Sequence, residues 1–358
     1  MLGSEAESER KFLAGEFDSV FSGELPAVGC KQRYNFSQIM TSGFWEKLNK
    51  PIMALAPMAN VTDAAFRMII AKYGKPDVMW TEFVSVDGLI SAGRENLLLD
   101  LKFDESERPI VAQFFGAAPE HFYRAALLAR ELGFDGIDVN MGCPDRAVLK
   151  QGAGAALIEK PKLAQEIIRA VKRGAGLLPV SVKTRLGLKK NALKEWLSYL
   201  LEADLAAITV HGRTAKEMSL VPADWEAIGE AVEIRDKYEA GSINRTLILG
   251  NGDVKDLTDA EAKAEKYGLD GVMTGRGIFG NPWFFNRGRR GEISREEKLK
   301  VMLEHTRFFE KIFGGRKNFD VMKKHYKAYV NGFRGAKELR IKLIAAKNAE
   351  EAERIVWK

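Results

Sequence analysis

One cysteine stands in a setting that could support proton transfer or nucleophilic chemistry. Cys143 lies in the segment Asn140-Met-Gly-Cys-Pro144, where a glycine and a proline favour a defined turn over a helix interior. A free thiol has a pKa of about 8.5, so it can act as a general acid while protonated and as a nucleophile once cationic neighbours have removed its proton. Three interpretations therefore stay open at this point: an acid, a nucleophile, or a buried structural thiol.

A second group of side chains could contact an electron-rich ring. Lys183 and His211 lie at the ends of two successive apolar runs, and each can supply a positive charge or a hydrogen-bond donor. Such a group stabilises the negative charge that a reduced flavin carries around its N1–C2=O edge. Gln113 could donate to and accept from the same ring through its amide. Singly, the lysine would be a solvated residue and the histidine a core imidazole, but their common location favours a functional role.

Two glycine-rich segments could bind an anion through backbone N–H groups. Their sequences are Gly250-Asn-Gly-Asp253 and Gly275-Arg-Gly277, and Arg276 could hold two oxygens of a phosphate. Either segment alone would be an ordinary turn. Both follow the last two of eight apolar runs, the usual phosphate position in one class of barrel. We therefore expect them to bind a phosphate together.

These side chains need elements that bring them to one place. Short apolar runs alternate with longer amphipathic stretches, which predicts alternating strands and helices. The predicted strands are Ile52–Ala56, Val78–Phe83, Ile110–Phe114, Gly136–Val139, Val180–Lys183, Ala207–Val210, Thr246–Leu249 and Gly271–Thr274. The main predicted helices are Ala64–Tyr73, His121–Leu132, Lys162–Arg173, Ala192–Ala203, Trp225–Lys237 and Asp259–Tyr267.

Strand starts recur at intervals near the roughly 30 residues of a strand–helix–strand unit. The predicted fold class is therefore α/β, a (β/α)8 TIM barrel followed by a C-terminal all-α helical bundle. The alternative is a doubly wound open sheet, which would carry a glycine-rich fingerprint after its first strand. Residues 56–60 contain no glycine, so the barrel is favoured.

In a parallel barrel, the C-terminal strand ends form one rim, where active sites lie. Nearly every predicted strand ends in a group able to hydrogen-bond, carry charge or transfer a proton. In chain order these groups are Pro57 and Met58, Glu82, Gln113, Asn140 to Cys143, Lys183 and Arg185, His211 and Arg213, Asn251 to Asp253, and Gly275 to Gly277. A barrel that served only as a scaffold would show ordinary turn residues there.

Composition and charge divide the chain into three parts. The 358 residues are 46% hydrophobic and 29% charged, which fits a globular protein and argues against a disordered or collagen-like one. We assign an N-terminal extension of unknown role to residues 1–45, a barrel to 46–290 and a basic helical domain to 291–358. From Arg287 to Lys358 the chain carries 20 Lys and Arg against 10 Asp and Glu, while the rest carries 35 against 39. This asymmetry suggests a polyanionic partner for the tail, although a solvated lysine-rich surface would give the same count.

We expect a cytoplasmic monomer without membrane contact. No apolar run approaches the roughly 18 residues that span a bilayer, and Glu5, Glu7 and Glu9 stand where a secretory signal would be basic. Two cysteines, Cys30 and Cys143, are too few for a disulfide framework or a four-ligand zinc site, so we expect no metal.

The tail is expected to form three or four helices. Ser294 with Glu297, and Asn348 with Glu351, each place a capping residue three positions before a glutamate, which marks a helix start. Between them, large side chains recur at helical spacing and are expected to form a core rather than a platform for nucleic-acid bases: Phe319, Met322, Tyr326 and Tyr329.

Together these motifs resemble the tRNA-dihydrouridine synthases. The most specific is Asp138-Val-Asn-Met-Gly-Cys-Pro144, with Val148 and Gly154-Ala155 after it. The others follow the family's order: Ala56-Pro-Met58 with Thr62-Asp63, Gln113-Phe-Phe-Gly116, Val182-Lys-Thr-Arg185, His211-Gly-Arg-Thr214, Gly250-Asn-Gly-Asp253, Thr274-Gly-Arg-Gly277, His325-Tyr-Lys-Ala-Tyr329, Gly332-Phe-Arg334 and Ala336-Lys-Glu-Leu-Arg340. The resemblance covers roughly Phe44–Val356.

The resemblance implies an FMN enzyme that reduces the C5–C6 double bond of particular uridines in tRNA, with NADPH as the usual reductant. NADPH would reduce FMN, flavin N5 would pass a hydride to uracil C6, and Cys143 would protonate C5. Asn140 would help to hold the uracil, and Arg185 and Arg213 would line the pocket mouth. The residues that match the family's FMN positions are Pro57, Met58, Ala59, Gln113, Lys183, His211, Asn251, Gly252, Asp253, Gly275 and Arg276.

The resemblance also implies that the helical domain binds tRNA, in agreement with its positive charge. Its candidate contacts are Lys323, Lys324, Lys327, Arg334 and Arg340. Because a base inside folded tRNA is inaccessible, the target uridine must be flipped into the barrel.

Two other functions stay open from the sequence. One is a flavin-dependent reductase of a small-molecule pyrimidine or enone, in which the basic tail has no role. The other is a tRNA-binding protein with a vestigial flavin site, which the intact Cys143, Lys183 and His211 disfavour.

Overall fold

Eight parallel strands form a single sheet that closes on itself. The computed structural model describes residues 43–242, 245–289 and 291–358. Its strands are β1 Ile52–Leu55, β2 Met79–Ser85, β3 Ile110–Phe115, β4 Gly136–Met141, β5 Val180–Arg185, β6 Ala207–His211, β7 Leu247–Asn251 and β8 Gly271–Thr274. They follow one another in the sheet in chain order, and β1 pairs with β8.

The ring closes between β1 and the residues that precede β2. A parallel bridge joins Ala54 to Val78, the Leu55 N–H donates to the Val78 carbonyl at 3.0 Å, and the Asp77 N–H donates to the Met53 carbonyl at 2.8 Å. The predicted barrel is confirmed, and all eight predicted strands are found, most of them with ends shifted by one or two residues.

Helices surround the barrel and continue into the tail. They are α1 Ala64–Gly74, α2 Val86–Leu89, α3 Arg94–Leu97, α4 Pro119–Glu131, α5 Arg146–Lys150, α6 Pro161–Ala175, α7 Leu193–Leu201, α8 Trp225–Tyr238, α9 Leu257–Lys266, α10 Arg295–Phe313, α11 Val321–Tyr329, α12 Ala336–Ile344 and α13 Ala349–Trp357. Short 3-10 turns lie at Gly43–Lys47, Glu105–Glu107, Gly154–Glu159 and Arg276–Ile278.

The long barrel helices form because their apolar residues repeat at helical spacing. In α6 the buried side chains Ala164, Ile167, Ile168 and Val171 follow the i, i+3, i+4, i+7 pattern and pack on the sheet. Two of the eight strands, β2 and β8, have no such long helix between them and the next strand or the tail. The segment after β2 contains Gly88 and Gly93, which disfavour helix propagation, and β8 leads through a 3-10 turn towards the tail.

The tail consists of four helices, α10 to α13, within the predicted three or four. The Glu297 N–H donates to the Ser294 hydroxyl at 3.1 Å, and the Glu351 N–H donates to Asn348 Oδ1 at 2.8 Å. Both predicted caps are therefore confirmed. Met322, Tyr326 and Tyr329 are fully buried, and Phe319 packs against them. The same core takes in side chains of α1, so the tail packs directly on the barrel.

An ion cluster also ties the tail to the rim of the barrel. Lys317, between α10 and α11, places Nζ 2.6 Å from Glu82 Oε2 and 3.0 Å from Asp100 Oδ1. Glu82 also accepts a hydrogen bond from the Asn60 N–H. Burial raises the pKa of Glu82 to about 7 against the opposing effect of Lys317.

Two expectations from the sequence can be compared only with the residues that the structure describes. Cys30 and nearly all of the N-terminal extension lie outside them. Among residues 43–242, 245–289 and 291–358, no helix combines the length and apolarity that crossing a bilayer demands.

Candidate active site

A cavity of about 610 Å³ lies at the C-terminal rim of the barrel, a size typical of ligand-binding pockets. Thirteen of the predicted site residues line it: Pro57, Met58, Asn140, Cys143, Lys183, Arg185, His211, Arg213, Asn251, Gly252, Asp253, Gly275 and Arg276. Ala59 lies next to this lining, and Gln113 is fully buried below it. The five tail residues lie elsewhere.

Strand register brings these side chains together. Asn140 of β4 pairs with Lys183 of β5, and His211 of β6 pairs with both Arg185 of β5 and Asn251 of β7. Because register partners in a parallel sheet point to the same face, the side chains converge on one opening. Lys183 Nζ donates to Asn251 Oδ1 at 3.0 Å, which joins two strands that are not neighbours.

Lys183 is poised between its charged and neutral forms. Burial is the main cause that lowers its pKa to about 7, and Arg185 lowers it further, while Asp138 and Cys143 oppose the shift. A bound anion beside Nζ would favour the ammonium form. The residue therefore fits a ligand that gains negative charge when it is reduced.

His211 is neutral in this environment. Burial, followed by four neighbouring cations with Lys183 first among them, lowers the pKa of the imidazole far below its usual range. Arg213 Nη1 lies 3.2 Å from Nε2, and since a guanidinium can only donate, Nε2 accepts and Nδ1 carries the proton. Of the two roles expected for His211, the structure favours the hydrogen-bond donor over the positive charge.

Cys143 is a free, partly exposed thiol on a loop held by the side chain of Asn140. The N–H groups of Gly142 and Cys143 donate to Asn140 Oδ1 at 3.1 and 2.9 Å. Burial raises the pKa of the thiol above its ordinary value, so it is protonated at neutral pH. Among the three interpretations of Cys143, this environment favours the acid over the nucleophile.

A chain of polar side chains runs beneath the cavity. Asp138 accepts from the Ser181 hydroxyl and from Gln113 Nε2, both at 2.6 Å. Gln113 Oε1 in turn accepts from Asn140 Nδ2 at 3.0 Å. The amides of Gln113 and Asn140, expected to contact flavin and uracil, are therefore also engaged in orienting the cysteine loop.

The glycine-rich end of the cavity suits an anion. Gly252 has φ +132°, and a Cβ there would lie 2.6 Å from Ala223 Cβ. Arg276 Nη2 donates to Asp253 Oδ1 at 3.1 Å, and Arg213 also pairs with Asp253, so the acidic residue of this wall is neutralised. With Lys255 added, the wall carries an excess of positive charge.

Arg185 and Arg213 line the cavity; Arg185 donates to backbone carbonyls, whereas Arg213 donates to one backbone carbonyl and to the side chains of His211 and Asp253. Arg185 Nε donates to the Gly142 carbonyl at 2.7 Å, and its Nη1 donates to the Thr214 carbonyl at 3.1 Å. Arg213 Nε donates to the Val221 carbonyl at 2.6 Å. Both arginines therefore brace the loops around the opening.

The predicted tail cations are in different environments. Lys327 and Arg334 are exposed. Lys323 pairs with Asp320 at 2.5 Å, and Arg340 Nη1 donates to the Val330 carbonyl at 2.8 Å. Lys324 is half-buried, and burial lowers its pKa while Glu82 and Asp63 oppose that shift.

Sequence reasoning missed several residues of this region as site candidates. Phe83 and Lys255 line the cavity, Asp138 orients Gln113, and Lys317 pairs with Glu82. Lys255 follows the first glycine-rich segment, which ends at Asp253, by two residues, and Asp138 opens the cysteine motif, so both gave a local signal. Lys317 gave none, because its partner is 235 residues away in the chain.

Comparison with known proteins gives a consistent result. The family model described as dihydrouridine synthase (Dus) matches residues 54–357. A probable tRNA-dihydrouridine synthase of Staphylococcus aureus (strain COL) is 41% identical over 320 residues, which cover 88% of this chain and 95% of that protein. The probable tRNA-dihydrouridine synthase 2 of Bacillus subtilis (strain 168) is 40% identical, with coverage of 88% and 96%.

Solved structures resemble the chain in fold alone. A 2-naphthoyl-CoA reductase in complex with 2-naphthoyl-CoA matches with a TM-score of 0.50 at 11% identity, over 66% of this chain and 49% of that one. Morphinone reductase gives a TM-score of 0.47 at 13% identity, over 69% and 88%.

Proposed function

The chain belongs to the dihydrouridine synthase family, an oxidoreductase family that acts on uridines of tRNA, and we propose that it works with FMN as its bound cofactor and NADPH as its reductant. The observation that carries this proposal is the free Cys143 thiol, held on a fixed loop at the edge of a cationic cavity.

Reduction of the uracil C5–C6 double bond adds one hydride and one proton. FMN, when bound and reduced, supplies the hydride to C6. Cys143 Sγ donates the proton to C5 and becomes a thiolate, which regains a proton from water. Lys183 and Arg185 favour the negatively charged sulfur electrostatically, so the proton transfer is helped by groups already in place.

The residues around the cavity fit a flavin that carries a phosphate. Pro57, Met58 and Ala59 would flank the ring, while Lys183 and His211 would donate to its electron-rich edge. Asn251, Gly252, Gly275 and Arg276 would hold the phosphate, with Asp253 keeping Arg276 in place. Gln113 would support the ring from below, and Asn140 would hold both the uracil and the cysteine loop.

We assign catalysis to residues 46–290 and tRNA binding to the basic helices of residues 291–358. The positive charge of the C-terminal helices supports this division, since phosphate contacts supply most of the affinity of nucleic-acid-binding proteins. The protein would act as a cytoplasmic monomer, with Lys323, Lys324, Lys327, Arg334 and Arg340 near the tRNA.

The test uses purified protein and unmodified tRNA. We expect a yellow protein whose flavin is bleached by NADPH without oxygen and recovers its colour when tRNA is added, with dihydrouridine formed. In Cys143→Ala, bleaching should persist, while RNA reduction should fall by about 100-fold, since an acid contributes that order of rate. A colourless protein would contradict the flavin proposal, and unchanged RNA reduction in the variant would contradict the acid role. Equal rates on free uridine and tRNA would instead indicate a small-molecule reductase.

A further inference from the structure

Two loops beside the cavity form one projection, which we call the rim projection: residues 187–191 after β5 and residues 214–222 after β6. The Ala215 N–H donates to the Gly187 carbonyl and the Lys216 N–H to the Leu188 carbonyl, each at 2.9 Å. These hydrogen bonds join the two loops into a single unit at the C-terminal side of the barrel.

The tip of the rim projection is apolar and open to solvent. Leu220 is 84% exposed, Met218 is 52% exposed and Val221 is 40% exposed. Exposed apolar side chains are common singly, but three within four residues form a patch that calls for a partner.

This tip is held firmly in place. Arg185 Nη1 donates to the Met218 carbonyl at 3.2 Å, and Arg213 Nε donates to the Val221 carbonyl at 2.6 Å. Met218 has φ +52°, a conformation that residues with long side chains rarely adopt. Both arginines also line the cavity, so the tip is one side chain away from the site where the target base would react.

Charge around the tip identifies the class of partner. Lys189, Lys190 and Lys216 are exposed on the same two loops. The acidic residue Glu217 is half-buried and accepts the Thr214 N–H at 2.7 Å, so it is turned towards the protein. An apolar tip surrounded by cations fits a polyanion that also has flat apolar surfaces. RNA, with its stacked bases and its phosphates, is such a polyanion.

We propose that Leu220, supported by Met218, is a wedge that enters the base stack of the tRNA beside the target uridine, while the surrounding lysines contact the flanking phosphates. This inference rests on the proposed function. Removing a base from its stack costs a few kcal/mol, and an apolar side chain that fills the vacated space offsets part of that cost. The wedge would therefore act on base extrusion and leave the chemistry of the flavin unchanged.

The test compares Leu220→Ala, Leu220→Met and Leu177→Ala. Leu177 is a matched control, because it is 75% exposed but precedes β5 at the opposite end of the barrel. Each variant is reduced with NADPH, and flavin reoxidation is followed in a single turnover with unmodified tRNA and with a linear uridine-containing oligoribonucleotide. We expect Leu220→Ala to lose about tenfold of the rate on tRNA, which corresponds to about 1.4 kcal/mol, while Leu220→Met and Leu177→Ala stay within about twofold of the unaltered protein.

Several results would overturn the wedge. They are an unchanged tRNA rate in Leu220→Ala, an equal loss in Leu220→Met, or an equal fractional loss on the linear oligoribonucleotide. If the linear RNA is not turned over, the comparison of the three variants on tRNA still tests the wedge. A failure of the unaltered protein to reduce any tRNA, with the flavin bleached normally, would count against the proposed function instead.

Discussion

At the scale of single residues, Asp138 determines which way two buried amides point. An ionised carboxylate can only accept, so Gln113 must present its NH₂ group to Asp138 and its carbonyl oxygen to Asn140. Asn140 then presents its own carbonyl oxygen to the N–H groups of the cysteine loop. A carboxylate buried beneath the cavity thus fixes the loop that carries Cys143.

Replacing Asp138 by asparagine removes this directional constraint, because an amide can both donate and accept. In Asp138→Asn we expect flavin binding and NADPH-dependent bleaching to persist, tRNA reduction to fall by about tenfold, in line with the cost of misplaced catalytic groups, and alkylation of the Cys143 thiol by iodoacetamide to accelerate. Ser181→Ala is the matched control, since it removes a donor to the same carboxylate without allowing Gln113 to turn. An alkylation rate equal to that of the unaltered protein would refute the positioning role.

At the scale of elements, two histidines lie at the contact between the tail and α1. The rings of His305 in α10 and His325 in α11 are 4.6 Å apart, and both contact Phe66 of α1. Their ring nitrogens have no hydrogen-bond partner within the described part of the chain. Burial lowers the pKa of His305 to about 3 and that of His325 well below its usual value, so both are neutral in the folded protein.

These two histidines make the tail sensitive to acid. The unfolded chain binds protons at histidine below pH 6.5, whereas the folded chain does not, so their contribution is fully present above pH 6.5 and is lost as the pH falls towards the folded pKa. We expect the free energy of unfolding to drop by roughly 2 kcal/mol per histidine between pH 7.5 and 5. In urea titrations, His305→Met should remove the roughly 2 kcal/mol that this histidine contributes to the loss, while the contributions of His325 and His211 remain. Parallel pH curves for the variant and the unaltered protein would contradict this account.

The ion cluster at Lys317 is a second contact between elements, and its loss should destabilise the protein. Lys317→Met would leave Glu82 and Asp100 without their counter-charge, so we expect a loss of about 3 kcal/mol, the usual cost of breaking a buried ion pair. Adding Glu82→Gln should recover part of it. Lys300→Met serves as the control, because Lys300 pairs with Glu296 on an exposed face, where solvent screens the pair and a much smaller loss is expected. Equal losses in Lys317→Met and Lys300→Met would show that the cluster does not stabilise the contact.

At the scale of the whole molecule, the cations of the tail differ in their exposure to solvent. They therefore also differ in their availability to a polyanion. Lys327 is exposed, whereas Lys324 is half-buried beside the Lys317 cluster. Counting charge along the sequence treats these lysines alike. In the structure, Lys327 is available for phosphate contacts, whereas Lys324 lies at the contact between the tail and the barrel.

Charge reversal should distinguish the two. We expect Lys327→Glu to weaken tRNA binding at low salt and to reduce the salt dependence by about one phosphate contact, with stability unchanged. Lys324→Glu should instead lower the free energy of unfolding, because it places a further negative charge near Glu82 and Asp63. Binding constants at several salt concentrations and urea titrations provide the two measurements. Identical binding of Lys327→Glu and the unaltered protein at every salt concentration would exclude Lys327 from the tRNA contact.

The sequence alone determined the barrel, the helical tail and most members of the rim. Period-two and period-3.6 patterns report which face of an element is buried, and strand ends that follow one another in the chain must meet at one rim once the sheet closes. Both caps at Ser294 and Asn348 could be predicted for a similar reason, since capping depends on residues three positions apart.

Only the tertiary structure decided how those residues are used. The protonation of Cys143 and His211 depends on burial and on cations from other strands, and the placement of Lys317 against Glu82 depends on how the tail docks. The exposed tip at Leu220 follows from two loops that pair across neighbouring strands. These are effects of distance and desolvation between residues far apart in the chain, and local sequence patterns carry no information about either.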